Sequence, residues 1–182
     1  ANFRTPSAIF AHGFLTFNGK KMSKSRGTFI TARHYLNHLK PEYLRYYFAT
    51  RLGNRIDDID LDVDEFRQKI NADLVGKFIN IASRCSGFIK KRFAGQLATS
   101  LDDADLYQQF VSQKPAITSA FEQREYASAM RQIMQLADLA NQYINDKQPW
   151  VIAKQDGQDE LLHKVCTQGI NLFRFLLVML KP

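Results

Sequence analysis

The chain has 182 residues, of which 45% are hydrophobic and 24% are charged. These values are ordinary for a soluble globular protein and exclude a disordered tail, a collagen-like fibre and a disulfide scaffold. The apolar run at 172–180 is broken by Arg174 and is too short to span a membrane. Cys85 and Cys166 match no metal-binding or redox spacing, so we expect a reducing, cytoplasmic setting. Neither a signal peptide nor an initiator Met opens the sequence, so we expect a segment of a longer protein.

The net charge of +7 is unevenly distributed. Residues 1–41 contain seven Lys and Arg residues but no Asp or Glu, and residues 74–101 contain five cations and no carboxylate. Two separate basic regions indicate a polyanionic partner that is contacted at two places. Chance clustering on a solvated surface explains the composition equally well.

The first predicted element is a β-hairpin. Residues 8–17 are rich in β-forming residues, and the Asn18-Gly19 pair that follows tolerates the positive φ angles of a tight turn. A polar loop is predicted for residues 23–28. Helices are predicted at 32–39 and from Pro41 to about 52, because proline suits the first turn of a helix.

The rest of the chain has the periodicity of an α-helical bundle. The polar segment 54–64 is predicted to be a linker or a short strand, and we place a domain boundary there. A long helix is predicted from 64 to about 93, ended by Gly95. Further helices are predicted near 104–121, 127–145 and 158–180, with Pro115 starting or kinking one and Pro149 breaking the chain. The predicted fold is mainly α, with a short β portion at its start and domains at 1–62 and 63–182.

The loop after the hairpin reads Lys-Met-Ser-Lys-Ser at residues 21–25. Lysine ammonium groups, hydroxyls and exposed backbone N–H groups on a loop with a nearby glycine suit a triphosphate. These groups would most strongly stabilise the negative charge that develops on the phosphates during nucleotidyl transfer. The alternative is an ordinary exposed loop of lysines and serines.

This string resembles the signature of the class I aminoacyl-tRNA synthetases, and its context resembles the methionyl-tRNA synthetase family. The similar runs cover essentially the whole chain in order. They are His12–Thr16, Arg26–Phe29, Leu44–Phe48, Ile56–Leu61, Ile81–Arg84, Gln148–Lys154 and Gly169–Arg174.

The resemblance implies that residues 1–62 are the end of the catalytic domain, with the signature loop and a connecting unit that contacts the tRNA stem, and that residues 63–182 are the α-helical anticodon-binding domain. It also implies that the loop binds ATP, with its magnesium, during methionine activation. Lys24 would stabilise the leaving pyrophosphate and Lys21 would assist it. The implied ATP-binding residues are Lys21, Met22, Ser23, Lys24 and Ser25. The family's His-Ile-Gly-His motif does not occur in these 182 residues. ATP and methionine would therefore bind through an upstream domain, and we expect the segment alone not to aminoacylate and to hold no metal site.

The second basic region forms a stripe on the predicted long helix. Lys77, Asn80, Arg84, Gly87 and Lys91 follow spacings of three and four, which places them on one face. Such a stripe could read unstacked bases and hold phosphates, although a solvated helix face is the commoner use of this pattern.

The single tryptophan, Trp150, directly follows Pro149 at a predicted helix break. It could be a core residue, because tryptophan is highly buried on average, or a platform on which a base stacks. The resemblance implies anticodon binding by Asn80, Arg84, Trp150 and Pro149. The implied partner is the CAU anticodon loop of methionine tRNA, with Lys77 and Lys91 holding its phosphates and no membrane involved.

Three alternatives remain from the sequence. The chain could be an RNA-binding helical module without catalysis, a bundle that docks a protein partner, or part of a sister class I synthetase. Salt-dependent tRNA affinity would argue against protein docking, and exchange of the anticodon triplet would distinguish a sister enzyme.

Overall fold

The structure is a computed structural model that describes residues 3–23, 25–27 and 29–182. Within these ranges no helix is both long enough and apolar enough to cross a membrane.

A three-stranded sheet opens the fold, in the order β2-β1-β3. Strands β1 (Leu15–Phe17) and β2 (Lys20–Lys21) form the predicted hairpin. Its turn residues Asn18 and Gly19 have φ angles of 47° and 71°, the left-handed conformation that an Asn-Gly turn requires. The predicted strand at 8–17 was too long, since only its last three residues pair.

The third strand comes from the acidic segment that was predicted to be a linker or a short strand. Strand β3 (Ile59–Leu61) pairs in parallel with β1. Gly13 permits this approach, because a Cβ there would lie 2.4 Å from the backbone carbonyl of Asp57. The segment is therefore part of the first unit's sheet, and the boundary at 62/63 stays a prediction.

Two helices separate β1 from β3. Helix α1 (Ala32–Leu36) is capped by the Thr31 side chain, which accepts from the backbone N–H of His34, and helix α2 (Pro41–Ala49) begins at its proline. Both end three residues earlier than predicted. Beyond each end, the backbone hydrogen bonds join residues three apart, as His38 N–H to the Tyr35 carbonyl and Arg51 N–H to the Phe48 carbonyl, which is the 3₁₀ pattern common at helix ends.

The predicted long helix is confirmed within one residue at either end, but its winding changes along its length. It consists of α3 (Val63–Lys69), a π-helical segment (Ile70–Ile79) and α4 (Asn80–Arg92). The backbone N–H of Gly95, whose φ is 80°, donates to the Ile89 carbonyl and closes the helix as predicted.

Four more helices complete the bundle. They are α5 (Ala104–Glu122), α6 (Tyr126–Lys147), α7 (Pro149–Ile152) and α8 (Asp159–Leu180). Pro115 lies inside α5 and does not start it. Helices α4, α5 and α6 pack around α8, whose Leu162, Leu172 and Leu176 are fully buried. The apolar stripe of α8 thus forms the centre of the core.

Candidate nucleic-acid interface

The basic stripe of the long helix is held by polar residues of α6. Three side-chain pairs join the two helices, and each pair is separated by 61 residues, so the contacts advance together along both helices. The distances are 2.9 Å, 3.3 Å and 2.5 Å in chain order. We call these six residues the α4–α6 seam: Lys77 with Asp138, Asn80 with Asn141, and Arg84 with Asn145. The part of the stripe from Lys77 to Arg84 is therefore not a free solvated face, whereas Gly87 and Lys91 are exposed.

Trp150 lies beside the end of this seam. Gln148 has a left-handed φ of 49°, and the buried Pro149 then starts the short helix α7 that carries the indole. The Trp150 side chain is 38% exposed, and the Arg84 guanidinium carbon lies 5.5 Å from the ring centroid. Trp150 is thus not sealed in the core, and a cation–π contact joins it to Arg84.

Asn80 is oriented by a second amide. The Asn141 Nδ2 group donates to the backbone carbonyls of Lys77 and Ala137, at 3.0 Å and 2.9 Å. Its Oδ1 atom accepts from Asn80 Nδ2. Within the described ranges Asn80 Oδ1 makes no hydrogen bond, so this half-buried residue keeps an acceptor for a ligand.

Lys77 and Lys91, the predicted phosphate contacts, differ in their surroundings. The Lys77 ammonium pairs with the Asp138 carboxylate at 2.9 Å, which offsets its charge. Lys91 is exposed on the last turns of α4. Nearby, Arg92 Nη2 donates to the Ala153 carbonyl at 2.5 Å, which ties the end of α4 to the end of α7. Both phosphate roles remain predictions.

The α6 side of the seam was missed by the sequence analysis. Asp138, Asn141 and Asn145 follow spacings of three and four, beside the buried Ala137 and Ile144. Residues with these spacings lie on one polar face of a helix, so the pattern could have identified the three residues from the sequence.

The Lys-Met-Ser-Lys-Ser loop follows the hairpin, as predicted. Lys21 ends β2 and is exposed, Met22 and Ser23 are half-buried, and Ser25 is exposed. The hydroxyl oxygens of Ser23 and Ser25 are 3.1 Å apart. Lys24, the predicted principal catalytic residue, lies outside the described residues.

Comparison with known proteins finds relatives among the aminoacyl-tRNA synthetases. Residues 1–86 match the family model described as tRNA synthetases class I (M). Over 180 residues the chain is 58% identical to a protein of Francisella tularensis subsp. tularensis (strain WY96-3418) named methionine–tRNA ligase. This alignment covers 99% of the chain but only 27% of the relative, so the chain spans about a quarter of its length.

Two solved structures of Mycobacterium tuberculosis methionyl-tRNA synthetase share the fold. The complex with methionyl-adenylate has a TM-score of 0.82 at 24% identity and covers 98% of this chain and 36% of that one. The apo form has a TM-score of 0.77 at 20% identity and covers 100% of this chain and 36% of that one. The likeness to these structures shows the fold. The 58% sequence identity along nearly the whole chain and the family-model match over residues 1–86 show that the chain belongs to the methionyl-tRNA synthetase family, of which it represents one segment.

Proposed function

We propose that residues 63–182 bind the CAU anticodon loop of methionine tRNA. The observation that carries this proposal is the half-exposed indole of Trp150 beside the Arg84 guanidinium, on the same surface as Asn80. RNA is read mainly where bases are unpaired, through stacking on aromatic rings and hydrogen bonds to base edges. An indole, a guanidinium and an amide supply both kinds of contact.

Each residue of the proposed site has a distinct part. Trp150 stacks against the first anticodon base, and Pro149 fixes the start of the helix that carries it. Arg84 donates to base edges and Asn80 accepts from them through Oδ1, while α6 holds both side chains in place. Lys91 holds a backbone phosphate, and Lys77 does so once a phosphate competes with Asp138.

We further propose that residues 1–62 contribute the Lys-Met-Ser-Lys-Ser loop to ATP-dependent methionine activation in the whole protein. The donor set fits the phosphates of magnesium-bound ATP: Lys21 is cationic, and Ser23 and Ser25 carry hydroxyls 3.1 Å apart. Gly27 has a φ of 67°, and apart from its chain neighbours none of the residues that the structure describes has an atom within 4 Å of the position of a Cβ there, which leaves room for an anion. Lys24 stabilises the pyrophosphate as it leaves, and Lys21 adds to the positive potential.

The segment alone should not make methionyl-adenylate, because the His-Ile-Gly-His half of the family's active site is not among its residues. The catalytic proposal is therefore tested in a full-length enzyme. Lys24→Ala is expected to lower the rate of methionine-dependent pyrophosphate exchange far more than it lowers methionine affinity. Wild-type exchange in that variant would contradict the role of Lys24.

The anticodon proposal is tested by titrating the chain with anticodon stem-loops carrying CAU or single-base variants. Trp150→Ala is expected to weaken binding of the CAU stem-loop by about 1–3 kcal/mol, the worth of one stacked base. Val151→Ala is a matched control, since Val151 lies on the same short helix and is 39% exposed, against 38% for Trp150.

Two outcomes would overturn the proposal. Unchanged affinity in a folded Trp150→Ala variant would remove the stacking role. Equal affinity for CAU and all its variants would favour an RNA-binding module without anticodon selection.

A further inference from the structure

The helix that carries Trp150 is too short to keep its own orientation. Helix α7 has only four residues, and helices of this length are not stable without packing. Its buried residues, Pro149 and Ile152, are three apart and lie on one face. Two anchors on one face attach α7 to the core but leave its tilt open. The direction of the indole therefore depends on contacts at the end of the helix.

Arg92 holds that end through both of its terminal nitrogens. It is the last residue of α4, and its Nη2 donates to the carbonyl of Ala153, the residue directly after α7, at 2.5 Å. Its Nη1 donates to Oδ1 of Asp159, the first residue of α8, at 2.8 Å. One planar guanidinium thus spans the loop 154–158 between the two helices, and the fixed fork of its donors sets the distance between its two partners.

The helix that supplies this contact also supplies Arg84. Arg84 and Arg92 lie eight residues apart on α4, a rise of about 12 Å. The guanidinium carbon of Arg84 lies 5.5 Å from the centroid of the Trp150 ring, while Arg92 holds the backbone after α7. The end of α4 is itself fixed on α8, because the Phe93 ring stacks on His163 with 3.9 Å between the ring centroids. The position of Trp150 relative to Arg84 is therefore set by contacts with one helix.

Arg92 is less suited than its neighbours to a direct contact with RNA. Both of its terminal nitrogens have protein partners, and Asp159 offsets its charge. Lys90 and Lys91 are exposed on the same turn, and neither forms an ion pair with any residue that the structure describes. These two ammonium groups are available to a phosphate, whereas the Arg92 guanidinium would have to lose a partner.

We propose that Arg92 is a positioning residue of the anticodon site, which holds the end of α7 so that the indole of Trp150 stays beside Arg84. The inference rests on the proposed anticodon function and deepens it. Arg92 acts through Trp150 and not through a contact with the RNA. A base then stacks on a ring that is already in place, so less conformational entropy is lost on binding.

Trp150 is the single tryptophan of the chain, so its fluorescence reports on α7 alone. In the absence of RNA, Arg92→Gln should raise the quenching of this fluorescence by acrylamide and lower its anisotropy, because the end of α7 gains freedom to move. Arg92→Lys should change both in the same direction, since an ammonium keeps the charge but lacks the fork that holds two partners. Lys90→Gln is the charge-matched control and should leave both unchanged, since Lys90 is exposed on the last turn of α4.

The same variants are then titrated with the CAU stem-loop. Arg92→Gln should weaken binding about fivefold, the effect of one intramolecular hydrogen bond. In a Trp150→Ala background it should have no further effect, because the side chain that Arg92 positions is then absent. The slope of log affinity against log salt should stay that of the wild type, since no phosphate contact is lost. Arg92→Lys should also weaken binding, which a loss of charge cannot explain.

The outcomes distinguish the two proposals. Failure of the wild-type chain to bind the CAU stem-loop would overturn the anticodon function and, with it, any role of Arg92 in RNA binding. Wild-type binding, together with unchanged Trp150 fluorescence in Arg92→Gln, would overturn the positioning role alone. An equal loss in the Trp150→Ala background, or a reduced salt slope, would also overturn it, because Arg92 would then contact the RNA. If Arg92→Gln does not fold, Arg92→Lys carries the same measurements.

Discussion

Arg84 has two neighbours at the candidate interface, and they act on different parts of its side chain. The Asn145 oxygen accepts from Nη1 at 2.5 Å, and the Trp150 ring lies 5.5 Å from the guanidinium carbon. In the proposed anticodon site, the amide holds the plane of the guanidinium, and the contact with the ring leaves the remaining N–H groups of Arg84 for a base. Asn145 is therefore a positioning residue that acts through Arg84.

Asn145→Ala should weaken binding of the CAU stem-loop by about 1 kcal/mol, the size of one intramolecular hydrogen bond. In an Arg84→Ala background the same change should have little effect, because Asn145 then has no guanidinium to hold. Gln142→Ala is the control, since Gln142 pairs with Asp146 within α6. Additive losses for Arg84→Ala and Asn145→Ala would rule out the coupling.

Gly169 lies where α8 packs tightly against the long helix. A Cβ built there would lie 2.5 Å from Cys85 Sγ and 3.4 Å from Ile144 Cδ1, and all three residues are buried. A hydrogen bond with Cys166, followed by burial, raises the pKa of the Cys85 thiol, so it packs here as a neutral group. The absence of a side chain at Gly169 is thus a packing requirement.

Gly169→Ala should lower the free energy of unfolding by about 1–3 kcal/mol through overpacking. Cys85→Ala removes the sulfur that the new methyl group meets, so the double variant should lose less than the sum of the two single changes. Urea unfolding of the four proteins measures this. Strict additivity would show that the new methyl group is accommodated elsewhere.

Turns and breaks that depend on a single Gly, Asn or Pro were the features most readily predicted, whereas the ends of α1 and α2, which lack such a residue, were placed three residues too late. The turn at Asn18-Gly19, the stop at Gly95 and the break at Pro149 each depend on local backbone preference, and each lies where the sequence places it. The parallel pairing of β1 with β3 was not foreseen, since a hydrogen bond across more than forty residues leaves no local pattern.

In the candidate site, too, residues with a local sequence pattern were predicted and residues defined by a distant contact were not. Trp150 and its neighbour Pro149 stand out in the sequence, as do Asn80 and Arg84 once a helix is assumed. Their α6 partners do not, because an Asn on a helix surface is ordinary until the facing helix is known. The π-helical segment Ile70–Ile79 was also missed, because its side chains keep a helical hydrophobic pattern.

The C-terminal end of α4 can be improved by one substitution. Ala94 adopts a φ of 51°, a left-handed conformation that is costly for a residue with a Cβ, directly before Gly95. Ala94→Gly should raise the free energy of unfolding by up to about 1 kcal/mol. Ala82→Gly, inside α4, should lower it by about 1 kcal/mol. The same sign for both in urea unfolding would contradict the assignment of this helix end.

At the scale of the whole molecule, a buried polar contact joins α2 to the bundle. The Tyr46 hydroxyl donates to Asp73 Oδ2 at 2.6 Å, and the Lys69 ammonium lies 3.0 Å from the same oxygen. Tyr46 and Asp73 are only 7% and 5% exposed. The first unit is therefore attached to the long helix that carries Asn80 and Arg84, through a carboxylate with two partners.

This contact makes stability depend on alkaline pH. Burial, followed by the hydrogen bond to Asp73, raises the pKa of Tyr46 well above its ordinary value of 10.0. Below pH 10 the hydroxyl is protonated in both the folded and the unfolded chain, and its contribution is fully present. Above pH 10 the unfolded chain releases the proton first, so the stability must fall as pH rises.

Tyr46→Phe tests this dependence. Between about pH 10 and 11, one such tyrosine lowers the free energy of unfolding by up to about 1.4 kcal/mol per pH unit. The variant should be less stable than the wild type at neutral pH, because Asp73 loses a buried partner, yet its stability should decline less steeply above pH 10. Tyr143→Phe should reduce the slope in the same way, since burial and Asp102 raise the pKa of Tyr143. Urea unfolding from pH 8 to 11 measures how the free energy of unfolding depends on pH in the wild type and in each variant. If Tyr46→Phe leaves that slope unchanged, the Tyr46 hydroxyl ionises as readily in the folded chain as in the unfolded one.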